Sequence, residues 1–324
     1  MATKRTGDET AAGTDGTRPP ADFERAEHAL FESVGLQPES RFVDVETPGV
    51  RTHVLTSGRF DDEPPLVFVH GTGAFGAFFA PLMARFEDAG WIAFDRPGYG
   101  RSGPFRYSER TIRRTVLDVL EGVLDSHGCD RIDLVGHSMG GHTSLLFAGV
   151  FPERVRNVFV VGSVPGFPGT RPPIPIRVLT APLLGRVVRR LQKPGVAGVL
   201  DIAEVFGERE AIRKYPAVVR AMAAHEATPK SSLAGYSEFR SLVSPLSLSG
   251  WSRPNRITPA ELRRVRAPVT VVWGGSDTLG KPDDVRESVA QLRNARFEAV
   301  DAGHIPFLAH PDRCAQLIRE ARSG

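Results

Sequence analysis

From residue 41 onward, short apolar runs alternate with stretches of helical period. RFVDVET (41–47) and VRTHVLT (50–56) alternate polar and apolar positions across a Pro-Gly break, the pattern of a β-hairpin. LVFVH (66–70), WIAFD (91–95), IDLVG (132–136) and NVFVVG (157–162) are continuous apolar runs, as expected of strands buried on both faces. Between them, 77–88, 107–127 and 140–150 read as helices; Ile112, Val116, Val119, Leu120 and Val123 fall on one face of the second. Strand and helix in alternation predict a mostly parallel sheet covered on both sides.

The alternation stops near Pro165. A proline-rich stretch to 182 is followed by helical patterns at 183–192, 196–206, 209–224 and 232–243. Strand and helix then resume with VTVVWG (269–274), a helix over 282–292, ARFEAV (295–300) and a last helix over 311–321. The expected organisation is an α/β core over 23–164 and 263–324, with a helical insertion over 165–262 between two strands of one sheet. Residues 1–22, rich in Thr, Gly, Asp and Arg, read as a disordered leader.

Composition changes this picture little. Of the 324 residues 41% are hydrophobic and 24% charged, which suits a globular protein with a large core. No apolar run is long enough to span a membrane, and the N-terminus lacks the apolar core of a secretory signal. Cys129 and Cys314 have neither metal-ligand spacing nor a disulfide framework, so a cytoplasmic location is expected. Net charge is +3, yet 171–266 carry 17 Lys/Arg against 7 Asp/Glu. Without a nucleic-acid motif or interleaved aromatics, this reads as a solvated arginine-rich surface.

Chemistry concentrates at the strand ends. Gly136-His137-Ser138-Met139-Gly140 has the form G-x-S-x-G, directly after a strand and before a helix. Glycines two residues either side of a serine let the chain turn tightly enough to lift the hydroxyl clear of the sheet. The serine needs a base, and of nine histidines His304 stands in a short loop after a late strand, where it can reach over the sheet edge. His137 and His142 neighbour the serine, with side chains expected to point away from its reactive face. His70 reads as structural, and His127 and His310 as helix-end residues. The base needs an acceptor to orient it. Asp277, just past VTVVWG, lies at the same edge, whereas Gly162-Ser163-Val164 leaves the alternative position without a carboxylate; Asp283 and Asp301 are weaker candidates. Backbone amides of Met139 and of Thr72, or alternatively Gly73, would hold an oxyanion.

With these pieces in the order Ser138, Asp277, His304, the chain resembles the α/β-hydrolase family, in its branch with a helical cap. VFVHGTG and FDRPGYGRSG (94–103) match further segments of that pattern, and the resemblance runs from about 41 to 321. It implies an eight-stranded sheet, a cap roofing the site, no cofactor or metal, and acyl transfer through Ser138. A serine at the elbow disfavours epoxide hydrolases and haloalkane dehalogenases, which carry aspartate there. Ile305 stands where carbon–carbon bond hydrolases often have tryptophan. Hydrolysis of a carboxylic ester of a hydrophobic acyl group is therefore the leading expectation. Carbon–carbon hydrolysis, cofactor-free haloperoxidation, acyl transfer and a ligand receptor stay open on the same scaffold.

A dinucleotide-binding reading competes through Gly71-x-Gly73-x-x-Gly76 and Asp95. Gly98-x-Gly100-x-x-Gly103 matches the same pattern inside a loop, which devalues it. In the insertion, Val178, Leu179, Leu183, Leu184, Val187 and Val188 beside Arg186, Arg189 and Arg190 suggest a helix burying one face with its arginines in water; a hydrophobic acyl pocket with a basic rim that attracts anionic substrates or lipid surfaces is the second reading.

Overall fold

A computed structural model describes residues 21–58, 60, 63–181, 185 and 194–323. The leader up to residue 20 lies outside the described residues, as do Leu183, Leu184, Arg186, Val187, Val188, Arg189 and Arg190 and almost all of the helix expected at 183–192.

Eight strands form one sheet in the order β1-β2-β4-β3-β5-β6-β7-β8. They are β1 (Glu39–Val45), β2 (Val50–Ser57), β3 (Leu66–Val69), β4 (Trp91–Phe94), β5 (Ile132–His137), β6 (Val155–Val161), β7 (Val269–Gly274) and β8 (Ala295–Val300). β2 runs antiparallel to both neighbours, and every other pairing is parallel. The expected eight-stranded, mostly parallel sheet is what forms. The period-2 geometry of the buried strands splits their side chains between two apolar layers. Leu66, Phe68, Trp91 and Ala93 enter one, and Val67, Val69, Ile92 and Phe94 the other.

The helices used below are α1 (Ala21–Val34), α2 (Ile112–Ser126), α3 (Met139–Val150), α4 (Gly195–Val205), α5 (Pro216–Glu226), α6 (Pro229–Leu242) and α7 (Pro311–Ser323). The first was not expected, and it begins at Ala21, inside the stretch read as leader. Its apolar positions Phe23, Ala26, Leu30, Phe31 and Val34 nevertheless have helical spacing. Phe23 is buried against Phe75 and His225, with ring centroids 5.1 and 5.4 Å away.

Two expected helices are shorter than their apolar patterns, and proline is the reason in both. The 77–88 stretch becomes a 3-10 turn (Gly76–Phe79) and one α-turn (Ala80–Met83), with Pro81 in its first turn. The 209–224 stretch breaks into Arg209–Arg213 and α5, which opens on Pro216. Proline has no N–H for an interior helical bond but fits a first turn. Between β6 and β7 the described regular elements are helical, apart from an isolated bridge between Val243 and Trp251.

These helices are fastened to the sheet side by a buried ion pair. Arg96 Nη1 and Nη2 donate to the Glu238 carboxylate of α6 at 2.5 and 3.1 Å, and the Tyr99 hydroxyl donates to the same group at 2.5 Å. Burial opposes the Arg96 charge, but Glu238 more than offsets it and raises the guanidinium pKa further.

Candidate active site

The turn from β5 into α3 explains its own glycines. A Cβ on Gly136 would lie 2.5 Å from Gly140 O, and one on Gly140 would lie 1.7 Å from Val69 O. Only hydrogen fits at either position. Between them Ser138 adopts φ +54°, the one non-glycine positive φ among the described residues. Such strain persists where the surroundings over-determine it, commonly at functional turns. Ser138 is the N-cap of α3, so the Met139 amide belongs to the first turn, where N–H groups lack intrahelical acceptors. The helix dipole adds to the preference for negative charge there.

His304 and Asp277 come together at the ends of β8 and β7. His304 Nδ1 lies 3.0 Å from Asp277 Oδ2. Burial alone would raise the Asp277 carboxyl, but His304 and hydrogen bonds from His304, Leu279 and Ser163 outweigh it and hold it below the usual range. The Leu279 and Ser163 amides donate to its two oxygens at 2.9 and 3.1 Å. An ionised Asp277 can only accept, so the proton between the two groups sits on His304 Nδ1. Ser138, His304, Thr72 and Gly73 all line one cavity. Ser138 Oγ and His304 share that cavity without a hydrogen bond between them among the described residues; such bonds often tighten only once substrate is bound.

Four neighbours were not anticipated. Ser163 Oγ lies 2.9 Å from His304 Nδ1, at the position that lacked a carboxylate in sequence. His137 was expected to point away from the site. Instead it lines the same cavity as Ser138, and its Nε2–H donates to His304 O at 3.0 Å. Burial drives the His137 pKa down to about 3, so the ring is neutral. The Phe206 carbonyl accepts from His304 N at 3.2 Å, and its ring stacks on the imidazole. Glu208 accepts from Ile305 N, and its other oxygen has no partner among the described residues. Burial pushes this carboxyl up to about 7, against the pull of the Ile305 N–H and of His304.

The remaining candidates have structural employment. His70 is buried, with Nδ1 2.8 Å from Gly71 O and Nε2 accepting from Arg96 N. His142 Nδ1 lies 2.8 Å from Pro165 O, and His127 and His310 bond to nearby carbonyls. Asp95 is fully buried and bonded to His53 and to the Gly76 and Arg101 amides, so it is not presented to a ribose. Burial opposes its ionisation, yet those donors hold its pKa far below the usual range. Glu27, His53 and Asp95 bring ligand-type atoms within 4.8 Å of one another. Both His53 nitrogens are already hydrogen-bonded there, so the group is better described as a buried polar network than as a metal centre. Cys129 and Cys314 are both free and buried.

Residues 66–317 match the model of the alpha/beta hydrolase family, and the chain belongs to that family. The enzyme class that goes with this family and with an elbow serine is serine hydrolase. It is 28% identical over 287 residues to the 2-hydroxy-6-oxononadienedioate/2-hydroxy-6-oxononatrienedioate hydrolase of Paraburkholderia phymatum, covering 86% of this chain and 94% of that one. Among solved structures, the carboxylesterase CesB of Bacillus subtilis superposes with a TM-score of 0.70 at 21% identity, covering 92% of this chain and 96% of that one. The 2-hydroxy-6-oxo-6-phenylhexa-2,4-dienoate hydrolase of Rhodococcus sp. strain RHA1 gives 0.72 at 21% identity, covering 89% and 99%. At such identities the superpositions speak for the fold alone.

Proposed function

We propose that the protein hydrolyses carboxylic esters of an apolar acyl group through Ser138, His304 and Asp277. The observation that carries this is the cavity at the elbow. Its walls are mostly apolar, with Phe78, Ile176, Val199 and Phe239 among them, and no Lys or Arg lines it among the described residues. An apolar acyl chain is favoured there by the transfer of its methylenes out of water.

In the proposed reaction His304 Nε2 takes the Ser138 proton as Oγ bonds to the acyl carbonyl carbon. The amides of Met139 and Thr72, with Gly73 as the alternative, hold the oxyanion. The alkoxide leaves with the proton from the imidazolium, giving an acyl-enzyme and an alcohol. Water repeats the sequence and releases the acid and Ser138. The helices over 165–262 serve as the cap on a core of 23–164 and 263–324; the reading is supported by their place between β6 and β7 and by Val199, Ile202 and Phe206 in the cavity wall. Two free buried cysteines support a cytoplasmic setting, and no helix among the described residues is long and apolar enough to cross a membrane.

Carbon–carbon hydrolysis is the second reading, favoured by the similarity to the dienedioate hydrolases. Those substrates are dicarboxylates by name, and the described lining offers such a dianion no cation. A p-nitrophenyl ester series from acetate to decanoate, with wild type and Ser138→Ala side by side, tests the proposal. Turnover of medium-chain esters that disappears in the variant is expected. Ester inertness together with cleavage of a dienedioate would reverse the order of the two readings.

A further inference from the structure

Away from Thr72, His137, Ser138 and His304, one ionisable side chain interrupts the apolar wall of the cavity among the described residues. Helix α5 contributes Met222 and, one turn later on the same face, Glu226. Glu226 is half-buried, and among the described residues it has neither a hydrogen bond nor an ion pair. Burial pushes its carboxyl up to about 7. It is also the last residue of its helix, where the macrodipole disfavours negative charge. The most deeply buried carboxylates near the cavity are paired on both oxygens: Glu238 with Arg96 and Tyr99, and Asp277 with His304 and two amides. An acid kept without a partner in an apolar substrate cavity costs stability, and a ligand that supplies the missing donor recovers it.

Building on the ester-hydrolase reading of this site, we propose that Glu226 selects substrates whose apolar body carries a hydrogen-bond donor, a hydroxyl or an ammonium group, and rejects those ending in a carboxylate. The inference does not depend on which ester linkage is cleaved, because Glu226 is placed in the wall rather than among the reacting atoms. Among the described residues no cation lines the cavity, and the one ionisable wall residue from α5 has the wrong sign for a dicarboxylate.

The test uses a chain-length series of methyl esters whose far carbon bears methyl, hydroxyl, ammonium or carboxylate. Turnover is followed by acid release at mildly alkaline pH, where Glu226 is ionised. At the best length, wild type should favour the hydroxyl and ammonium esters over the methyl one by about tenfold in kcat/KM, the scale of a hydrogen bond to a charged group. Glu226→Leu should reverse that order, and Glu226→Gln should keep the hydroxyl preference but lose the ammonium one. Identical orders of terminal groups in wild type and Glu226→Leu would overturn the proposal. Calorimetric binding of the matching alkanols and alkylamines to Ser138→Ala reads the wall without chemistry. A donor preference there with no ester turnover in wild type would overturn the ester reading and leave the role of Glu226 standing. Ester turnover with no terminal-group preference would overturn the Glu226 role alone.

Discussion

Among the described residues two Ser-His-Asp sets come together, and only one of them has surroundings suited to the proposed chemistry. In the second, Ser40 Oγ lies 2.9 Å from His53 Nε2, and His53 Nδ1 lies 2.8 Å from Asp95 Oδ2. By side-chain contacts it is the better formed of the two, since Ser138 and His304 are not hydrogen-bonded among the described residues. The difference lies in the surroundings. Ser138 is cramped at the N-terminus of a 12-residue helix, beside amides without intrahelical acceptors, and faces an apolar cavity. Ser40 sits in the extended edge strand β1, exposed, in a depression it shares with Glu24, Glu27 and Glu32. Negative charge developing on a bound carbonyl would be stabilised at the first and repelled at the second. Arg101 reaches Ser40 Oγ at 3.3 Å, but its charge is shared with Glu24 and Glu27. Residue types alone therefore do not separate the two sets; the backbone and the surface around each hydroxyl do.

The sharpest way to break this comparison is at the serines. Ser138→Ala should lower kcat/KM by roughly three to six orders of magnitude, while Ser40→Ala leaves it unchanged. Mass spectrometry after a fluorophosphonate probe should find the adduct on Ser138 alone. Label on Ser40 in the Ser138→Ala protein would erase the distinction drawn between the two.

The acids should separate next. Asp277→Asn leaves the packing but spoils the tautomer, so kcat should fall by roughly three to four orders of magnitude with a small change in Tm. Asp95→Asn breaks a fully buried pair and weakens the donors' hold on the 94–103 loop. It should cost about 3 kcal/mol in denaturant unfolding, with kcat of the folded fraction largely retained. If both substitutions acted mainly on Tm, or both mainly on kcat, the contrast would collapse.

A smaller effect tests the way His304 is held. Ser163→Ala removes one of two partners of Nδ1 and should lower kcat by about tenfold or less, since Asp277 remains. A loss as large as that of Asp277→Asn would make Ser163 the principal orienting group.

The smallest concerns pH. The Glu208 carboxyl is raised in the folded state to about 7, from the ordinary carboxylate value it takes in the unfolded chain. The folded protein therefore binds more protons than the unfolded chain between those values, and stability from this group falls as pH rises through that window. In Glu208→Gln the Tm should be flatter than wild type from mildly acidic to neutral pH. Parallel Tm profiles would mean that Glu208 ionises freely.

Most of the sheet and the turn that carries Ser138 were legible because their signals are local. β3, β5 and β7 are fully buried and largely apolar, and the elbow glycines answer to contacts made within one strand-turn-helix unit and the strand beside it. The helix breaks at Pro81 and Pro216 were equally local and were overrun by the apolar pattern, as α1 was overlooked despite its spacing. The surroundings of His304 were not legible. His137 reaches its carbonyl across 167 residues of sequence, Ser163 its ring across 141, and Glu208 the neighbouring amide across 97.

The sequence by itself determined that a serine would stand on a strained turn at the end of a buried strand, because Gly136, Ser138 and Gly140 leave that turn little alternative. It also determined that an acid and a histidine would follow at the ends of later strands. Only the tertiary structure decided which of two Ser-His-Asp relays opens on an apolar cavity, which helix amides face it, and that Glu226 would stand unpaired in its wall. Those outcomes depend on the order in which the strands pair and on where the intervening helices come to rest, and hydrophobic period along the chain carries no information about either.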